Sequence, residues 1–401
     1  MAVYTRRDDF ALIGPAYPFR GGIAHYTTNL YRNLQARHQV RFYTFTRQYP
    51  PILFPGRTDQ DPSSLINQVP AVPIVNPLKP QSWLQLWNQL CTDRPNVVIL
   101  QWWHPFWAPF LLATAKAIKR RIEADLIYIC HNLVPHEGNR HLNLFLARRV
   151  LQHGDGHLVH SRWEMQALQQ LLPKAKVLWT PVPGDLFPTH LPSKEQSRQQ
   201  LGIKGRTLLF FGFIRMYKGL RTLLEAMGQV AQSLDLHLIV VGEFWVNEEP
   251  YRELVKELGL EQYITFVSRY IPNEQVGMYF AAADAVVLPY LSASQSAVAT
   301  LSFHLGKPVI ASDVCGLSDV VEDGETGLLV PPGNPAALSQ AIQRYFSEAL
   351  EPAFAENIQK RIHGKRFHWC RLIETLEELC NGNGSTNLDV SKLLRDPLLE
   401  T

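Results

Sequence analysis

Two cations stand three residues apart in the run from Phe210 to Gly219: Arg215 and Lys218. The run follows a strand-like stretch and precedes a helical one, and Gly212 permits a tight turn between them. Positive charge at a strand end suits a departing diphosphate. A solvated basic loop is the plainer reading, and the position after a strand favours the phosphate. A second run, Leu288 to Val298, also follows a strand and opens a helix. Its small residues let backbone N–H groups of Ser294, Gln295, Ser296, Ala297 and Val298 approach an anion at a helix N-terminus. Alone it is a serine-rich cap; opposite Arg215 and Lys218 it completes a diphosphate clamp.

Gly14 to His25 lies between a first strand and a first helix, with Gly21 and Gly22 at the helix start. It lacks GxGxxG, so it is no dinucleotide fingerprint. The glycine pair permits close approach of a ligand, and a plain tight turn explains it equally well. His131 follows the strand-like run Leu126 to Cys130 and is expected to emerge at the cleft, to orient a sugar hydroxyl or carry a proton. With His136, Glu137 and His141 it raises a metal site, but the spacing is not HExxH and Pro135 breaks a shared helical face, so no metal is expected. Gln101 to Trp107 is aromatic and ends another strand. It can stack an acceptor sugar, touch lipid, or simply pack beneath a helix.

These runs need elements to hold them. Short apolar stretches alternate with helical periods over most of the 401 residues, from Phe10–Ile13 and Ile23–Leu34 to Val309–Ala311 and Ala336–Ala349. Alternation of this kind implies parallel sheets covered on both faces. The pattern breaks at Thr180 to Gly184 and through the polar segment Ser193 to Gln200, then restarts. The expected division is 1–184, 185–380 and a flexible tail at 381–401, giving an α/β chain of two Rossmann-like domains. Doubly wound domains bind ligands at the carboxyl ends of their strands, so the site is expected in the cleft between them.

Composition narrows the function classes. Hydrophobic residues are 46% and charged residues 19%, as in a globular chain, and a net charge of +3 gives no reason to expect nucleic acid. The five cysteines are scattered without a CxxC pair, which fits a reducing cytosol. No apolar leader follows Arg6 and Arg7, and the apolar stretch Pro105–Ile118 is too short and broken to span a bilayer. The expected location is cytoplasmic, with peripheral contact at the inner membrane face through Tyr49–Pro55 or Trp102–Phe110.

At this point the chain resembles bacterial glycosyltransferases of family 4, which have the GT-B architecture. The resemblance runs nearly full length. It is carried by Lys307-Pro-Val-Ile-Ala-Ser312 and Asp319-Val-Val-Glu-Asp-Gly-Glu-Thr-Gly-Leu-Leu-Val-Pro-Pro-Gly333, by Gly212 to Gly219, and by Arg361 to Trp369. The resemblance implies a retaining transfer without metal or cofactor, a nucleotide-sugar donor as co-substrate, and a sugar, glycan or lipid-linked acceptor. It implies that Arg215 and Lys218 neutralise the nucleoside diphosphate, that His131 lies near the donor sugar, and that Gly21 and Gly22 form its N-terminal glycine loop. Tyr270 and Ile271 match the region holding the nucleobase. The C-terminal region is expected to pack back near the domain junction.

Two departures stand out. The family arginine follows the glycine directly, where this chain has Phe213; Arg215 is expected to reach the same phosphate from a shifted register. The family also carries two glutamates separated by seven residues, at positions that are Ala293 and Leu301 here. Gln295, Ser294 or Ser296 is expected to replace the first. The missing pair motivates an alternative, a nucleotide-sugar-binding or partner-binding protein without turnover. A sugar-nucleotide epimerase is a further alternative, which would need extra acid/base carboxylates in the cleft.

Overall fold

Unbroken apolar runs such as Val97-Val-Ile-Leu100 leave neither face of a strand for water, so they demand cover on both sides. The chain supplies it with helices between parallel strands. The structure, a computed structural model, describes residues 8–49, 58–64, 68–133, 139–185, 191–362 and 367–380.

The first sheet contains β1 (Asp9–Ile13), β2 (Gln39–Phe45), β3 (Ala71–Val75), β4 (Val97–Trp102), β5 (Asp125–Cys130), β6 (Gly156–Val159) and β7 (Val177–Trp179). Its order is β3-β2-β1-β4-β5-β6-β7 and every pairing is parallel. The helices between them are α1 (Gly22–Gln35), α2 (Pro80–Asp93), α3 (Ala108–Arg121), α4 (Arg140–Leu151) and α5 (Arg162–Leu171). Ser161 caps the start of α5: its hydroxyl accepts from Glu164 N at 3.2 Å.

Ser193–Gln200, read as a polar break, is a helix instead: α6 (Lys194–Leu201). Ser193 caps its start and Gly202, at φ 68°, ends it. The helix has little apolar content for a periodic signal, and it is held by Arg198 bonding both oxygens of Asp284 at 2.9 and 3.0 Å.

The second sheet contains β8 (Arg206–Phe211), β9 (Leu236–Val241), β10 (Ile264–Val267), β11 (Ala285–Leu288), β12 (Val309–Ser312) and β13 (Gly327–Val330). Its order is β10-β9-β8-β11-β12-β13, again all parallel. Its helices are α7 (Leu220–Leu234), α8 (Glu249–Glu257), α9 (Asn273–Ala282), α10 (Ala297–His304), α11 (Cys315–Ser318), α12 (Pro335–Ser347), α13 (Glu351–Ile362) and α14 (Trp369–Cys380). The sequence reading missed β13 and α11, each only four residues long.

The last helix crosses back. Leu372, Ile373 and Leu376 of α14 are buried with Phe10, Tyr26 and Leu158 of the first domain. Full burial of each such side chain is worth about 1.5–3 kcal/mol. The helix therefore passes the junction and covers the first sheet, although sequence division placed it with the second. The proposed tail, 381–401, lies outside the described residues.

Candidate functional site

In both sheets the strand order reverses beside a central pair, β1/β4 and β8/β11. Loops on opposite sides of such a pair diverge and leave a crevice. A cavity of about 270 Å³ occupies that place between the domains. Gly21 and Gly22 line it from the first domain; Gly212, Lys218, Tyr270, Ile271, Gln295, Ser296, Ala297 and Val298 line it from the second.

Lys218 is the central charge. Its side chain folds back under Gly212, where a Cβ would lie 2.8 Å from Nζ. Gly212 has φ 103°, and Gly219 has φ 67° with a Cβ position only 1.9 Å from the Pro289 carbonyl oxygen. Glycine at both positions lets the loop close around the lysine. Lys218 is 8% exposed, and among the described residues no carboxylate pairs with it. Burial pushes its amine down to about 8, and the Arg215 charge pushes the same way.

Arg215 departs from expectation. It lines a neighbouring cavity rather than the one holding Lys218, with its guanidinium 5.4 Å from the Trp245 ring centroid and 5.8 Å from that of Tyr217. Phe213 takes the nearer place and stacks on Trp245 at 4.3 Å.

The Ser294–Val298 run does open a helix. The Ser296 hydroxyl accepts from Ala299 N at 3.2 Å, which leaves the N–H groups of Ala297 and Val298 at the cavity wall. Gly316 allows this loop to descend: a Cβ there would meet Ser294 and Gln295 backbone at 2.5 Å. Ser294 is turned away and hydrogen-bonds Asn132 across the cleft. Gln295 faces the cavity, and its buried Oε1 has no hydrogen bond among the described residues. Leu301 lines the cavity where the family resemblance places a glutamate, whereas Ala293 does not reach it.

His131 is a correction. It was expected to emerge into the cleft, yet it is 2% exposed and lines neither cavity. Tyr26 of α1 packs edge-on against its ring at 4.7 Å, and Gln101 Oε1 lies 2.7 Å from Nε2. Burial, then the neighbouring His160, pushes its pKa well below the ordinary value, so it is neutral. The next residue, Asn132, reaches both cavities instead.

Several site residues escaped the sequence reading. Arg20 bridges to Glu243 at 2.7 and 3.2 Å. Tyr270 donates to Asp61 Oδ2 at 2.7 Å, and His25 Nε2 lies 3.0 Å from the same oxygen. Burial alone would raise the Asp61 carboxyl; hydrogen bonds from His25, Ser63 and Tyr270 outweigh it and hold the group at about 2. Burial and that carboxylate push the Tyr270 hydroxyl upward. His25 and Glu243 each had a weak signal: one follows a glycine pair by a helical turn, the other follows β9 and Gly242. Nothing local connects Asp61 to Tyr270.

Sequence models of two families match the chain in tandem. "Glycosyl transferase 4-like domain" matches residues 21–183, and "Glycosyl transferases group 1" matches 205–348. The chain belongs to glycosyltransferase family 4. D-inositol 3-phosphate glycosyltransferase of Corynebacterium glutamicum is 33% identical over 195 residues, covering 47% of this chain and 46% of that protein. The match thus spans about half the length of this curated relative. Among solved structures, sucrose-phosphate synthase from Thermosynechococcus elongatus superimposes with a TM-score of 0.68 at 21% identity, over 98% of this chain and 100% of that one. Anabaena HepE in complex with UDP-glucose gives 0.72 at 20% identity, over 92% and 99%. The shared fold is GT-B.

The protein has a second cavity of the same volume, which shares Gly21, Gly22, Asn132, Phe213 and Tyr217 with the first. Of the aromatic cluster, Trp103 lines it, while Trp102 and Trp107 are fully buried. Phe110 is also core, at 1% exposed, so lipid contact through Trp102–Phe110 is not available to these rings. Residues 50–55 of the other expected lipid-contact loop lie outside the described residues. Among the described residues no helix is long and apolar enough to cross a membrane, and no group of three or more His, Cys, Asp or Glu could hold a metal. His136 and Glu137 are not described, and His141 is exposed on α4. Glu243 is a cleft carboxylate of the kind an epimerase would use, but Arg20 neutralises it.

Proposed function

We propose that this chain transfers a sugar from a nucleoside-diphosphate sugar to an acceptor hydroxyl, with retention at the anomeric carbon and without a metal ion. The carrying observation is Lys218: a buried ammonium without a carboxylate partner among the described residues, opposite the N-terminus of α10. Keeping a cation there is costly unless an anion joins it. Together with the α10 N–H groups it supplies the positive charge that a departing diphosphate needs. Tyr270, Ile271 and Val276 give the far wall a surface for the nucleobase. HepE, captured with UDP and with UDP-glucose, makes uridine nucleotides the first donors to try.

In the reaction the acceptor oxygen bonds to the anomeric carbon as the bond to the β-phosphate oxygen breaks. The acceptor proton passes to that phosphate oxygen. The adjoining second cavity supports approach from the side on which the diphosphate leaves, which gives retention. Arg215, beside Lys218, adds charge from the second cavity. His131 positions the loop that carries Asn132 rather than touching the sugar.

Leu301, where the family resemblance places a glutamate, favours the alternative of binding without turnover. A mass-spectrometric screen of UDP-, GDP- and ADP-sugars against glycoside and polyol acceptors, in EDTA, separates the two. Metal-free product with a retained anomer is expected. Nucleotide binding with neither transfer nor donor hydrolysis across the panel would favour the binding protein.

A further inference from the structure

One wall of the donor cavity is apolar from end to end. α10 opens at the cavity with the N–H groups of Ala297 and Val298, and Leu301 lines the same cavity one turn further on. Residues three and four apart on a helix share a face, about 5–6 Å from each other. Leu301 is 3% exposed and belongs to one apolar cluster with Ile271 and Val276, against which Val298 and Phe211 pack. All five line the cavity. We infer that the donor's pentose rests on this wall, and that the site takes 2′-deoxynucleotides, deoxythymidine diphosphate sugars above all, at least as well as uridine ones. The inference rests on the donor site proposed above.

The order of groups along the cavity places the pentose. Lys218 and the start of α10 hold the diphosphate at one end, and Ile271, Asn273 and Val276 bound the base end. The pentose joins the two, and so does the apolar cluster that contains Leu301. Gln295 precedes the first turn of α10 and Leu301 follows it, so the unpartnered Gln295 Oε1 serves the other side of the diphosphate.

A ribose would bring a 2′-hydroxyl, whose proton needs a buried acceptor. A carboxylate is the strongest one and can accept from both hydroxyls of a cis-diol. Among the described residues that line the cavity the only carboxylate is Glu243, and both its oxygens pair with Arg20, at 2.7 and 3.2 Å. Asp61 does not line the cavity and is occupied by His25, Ser63 and Tyr270. Against Leu301 a 2′-hydroxyl gives up water and gains no partner. A 2′-deoxypentose presents only C–H there.

The base end suits a pyrimidine carbonyl beside a methyl group. Asn273 is 4% exposed, and its buried Nδ2 has no acceptor among the described residues. Its backbone N–H already donates to Ser63 Oγ at 2.9 Å, so the side-chain amide is the donor left to meet a ring carbonyl. Thymine and uracil both present carbonyls. Thymine adds a 5-methyl group for Ile271 and Val276 to bury, worth about threefold to fourfold in affinity.

Calorimetric titration of the whole chain with UDP, dUDP and dTDP, in EDTA, tests this. UDP and dUDP differ only in the 2′-hydroxyl, and dUDP and dTDP only in the methyl group. dUDP should bind within about threefold of UDP, or tighter, where a carboxylate-held ribose would lose more than about tenfold. dTDP should bind about threefold tighter than dUDP. Leu301→Gln, and the harsher Leu301→Glu, give the 2′-hydroxyl an acceptor and should create a preference for UDP over dUDP of about fivefold or more. If neither variant folds, the wild-type comparison decides alone. A wild type that loses more than about threefold from UDP to dUDP, or binds dTDP no better than dUDP, would overturn the inference and leave the donor site standing. Folded variants without the new preference would do the same. Binding of none of the three nucleotides would overturn the donor-site reading beneath it.

Discussion

Arg20 and Glu243 form a two-point ion pair across the cleft, Nη1 to Oε2 at 2.7 Å and Nη2 to Oε1 at 3.2 Å. One follows β1 and the other follows β9, so the pair ties the two domains together over the site. Both side chains are less than a tenth exposed. Breaking a buried pair strands the surviving charge and costs about 3–5 kcal/mol. Arg20→Met should therefore lower the melting temperature and enlarge the radius of gyration in X-ray scattering. Arg20→Met with Glu243→Met should recover most of the stability. A single variant as stable and compact as wild type would remove the pair's role.

Glu164 gives a pH signature. It is fully buried, and its Oε1 accepts from Leu133 N at 2.8 Å, which fixes the segment bearing Asn132. Burial raises its carboxyl to about 8, against the opposing pull of the Leu133 and His160 backbone. An unfolded glutamate titrates near about 4.3. Between those values the folded chain holds a proton that the unfolded chain has lost, so stability falls as pH rises. Glu164→Gln keeps the acceptor oxygen and should flatten that fall, a difference on the order of 1–3 kcal/mol. Urea midpoints measured at about pH 5, 6.5 and 8 check it.

Ser296 orients the helix aimed at the cavity. Removing its cap in Ser296→Ala should cost about 1 kcal/mol of stability. UDP affinity should fall by roughly threefold to tenfold as the first turn of α10 frays. Calorimetry and a thermal melt read the two effects separately; a change in neither would detach the cap from the site.

Much of this arrangement is legible in the sequence. The alternation of apolar and helical runs defines both parallel sheets, and residues just after strands line the cavity: Gly21, Gly212, Lys218, Ile271 and Val298 among them. What escaped depends on pairs distant in sequence. Asp61 meets Tyr270, and Arg20 meets Glu243, only because two separately folded domains face each other. The burial of His131 needs Tyr26 and His160, while Trp369 packs on Tyr26 from the far end of the chain. Arg215 lines the second cavity, while Phe213 lies beside Tyr270 with ring centroids 6.0 Å apart.

Lys218 also makes a prediction about the empty protein. Its amine titrates at about 8 in the fold and near about 10.4 when unfolded. Between those values the unfolded chain binds the extra proton, so stability rises with pH there. Below about 8 the full penalty applies. Lys218→Met should stabilise the ligand-free chain at neutral pH, on the order of 1–3 kcal/mol, and abolish that rise. A less stable Lys218→Met would mean that the lysine supports the fold rather than a ligand.

The most direct test is a calorimetric titration of UDP, in EDTA, between about pH 7 and pH 9.5, on wild type and Lys218→Met. Wild-type affinity should be highest at the lower end and fall as the amine loses its proton. The fall should begin at about pH 8, where the amine of the ligand-free protein titrates, and continue upward because bound diphosphate favours the ammonium. Lys218→Met should bind at least tenfold more weakly at the lower end, with little dependence on pH. Equal affinity of the two proteins across the range would contradict a diphosphate site built on Lys218.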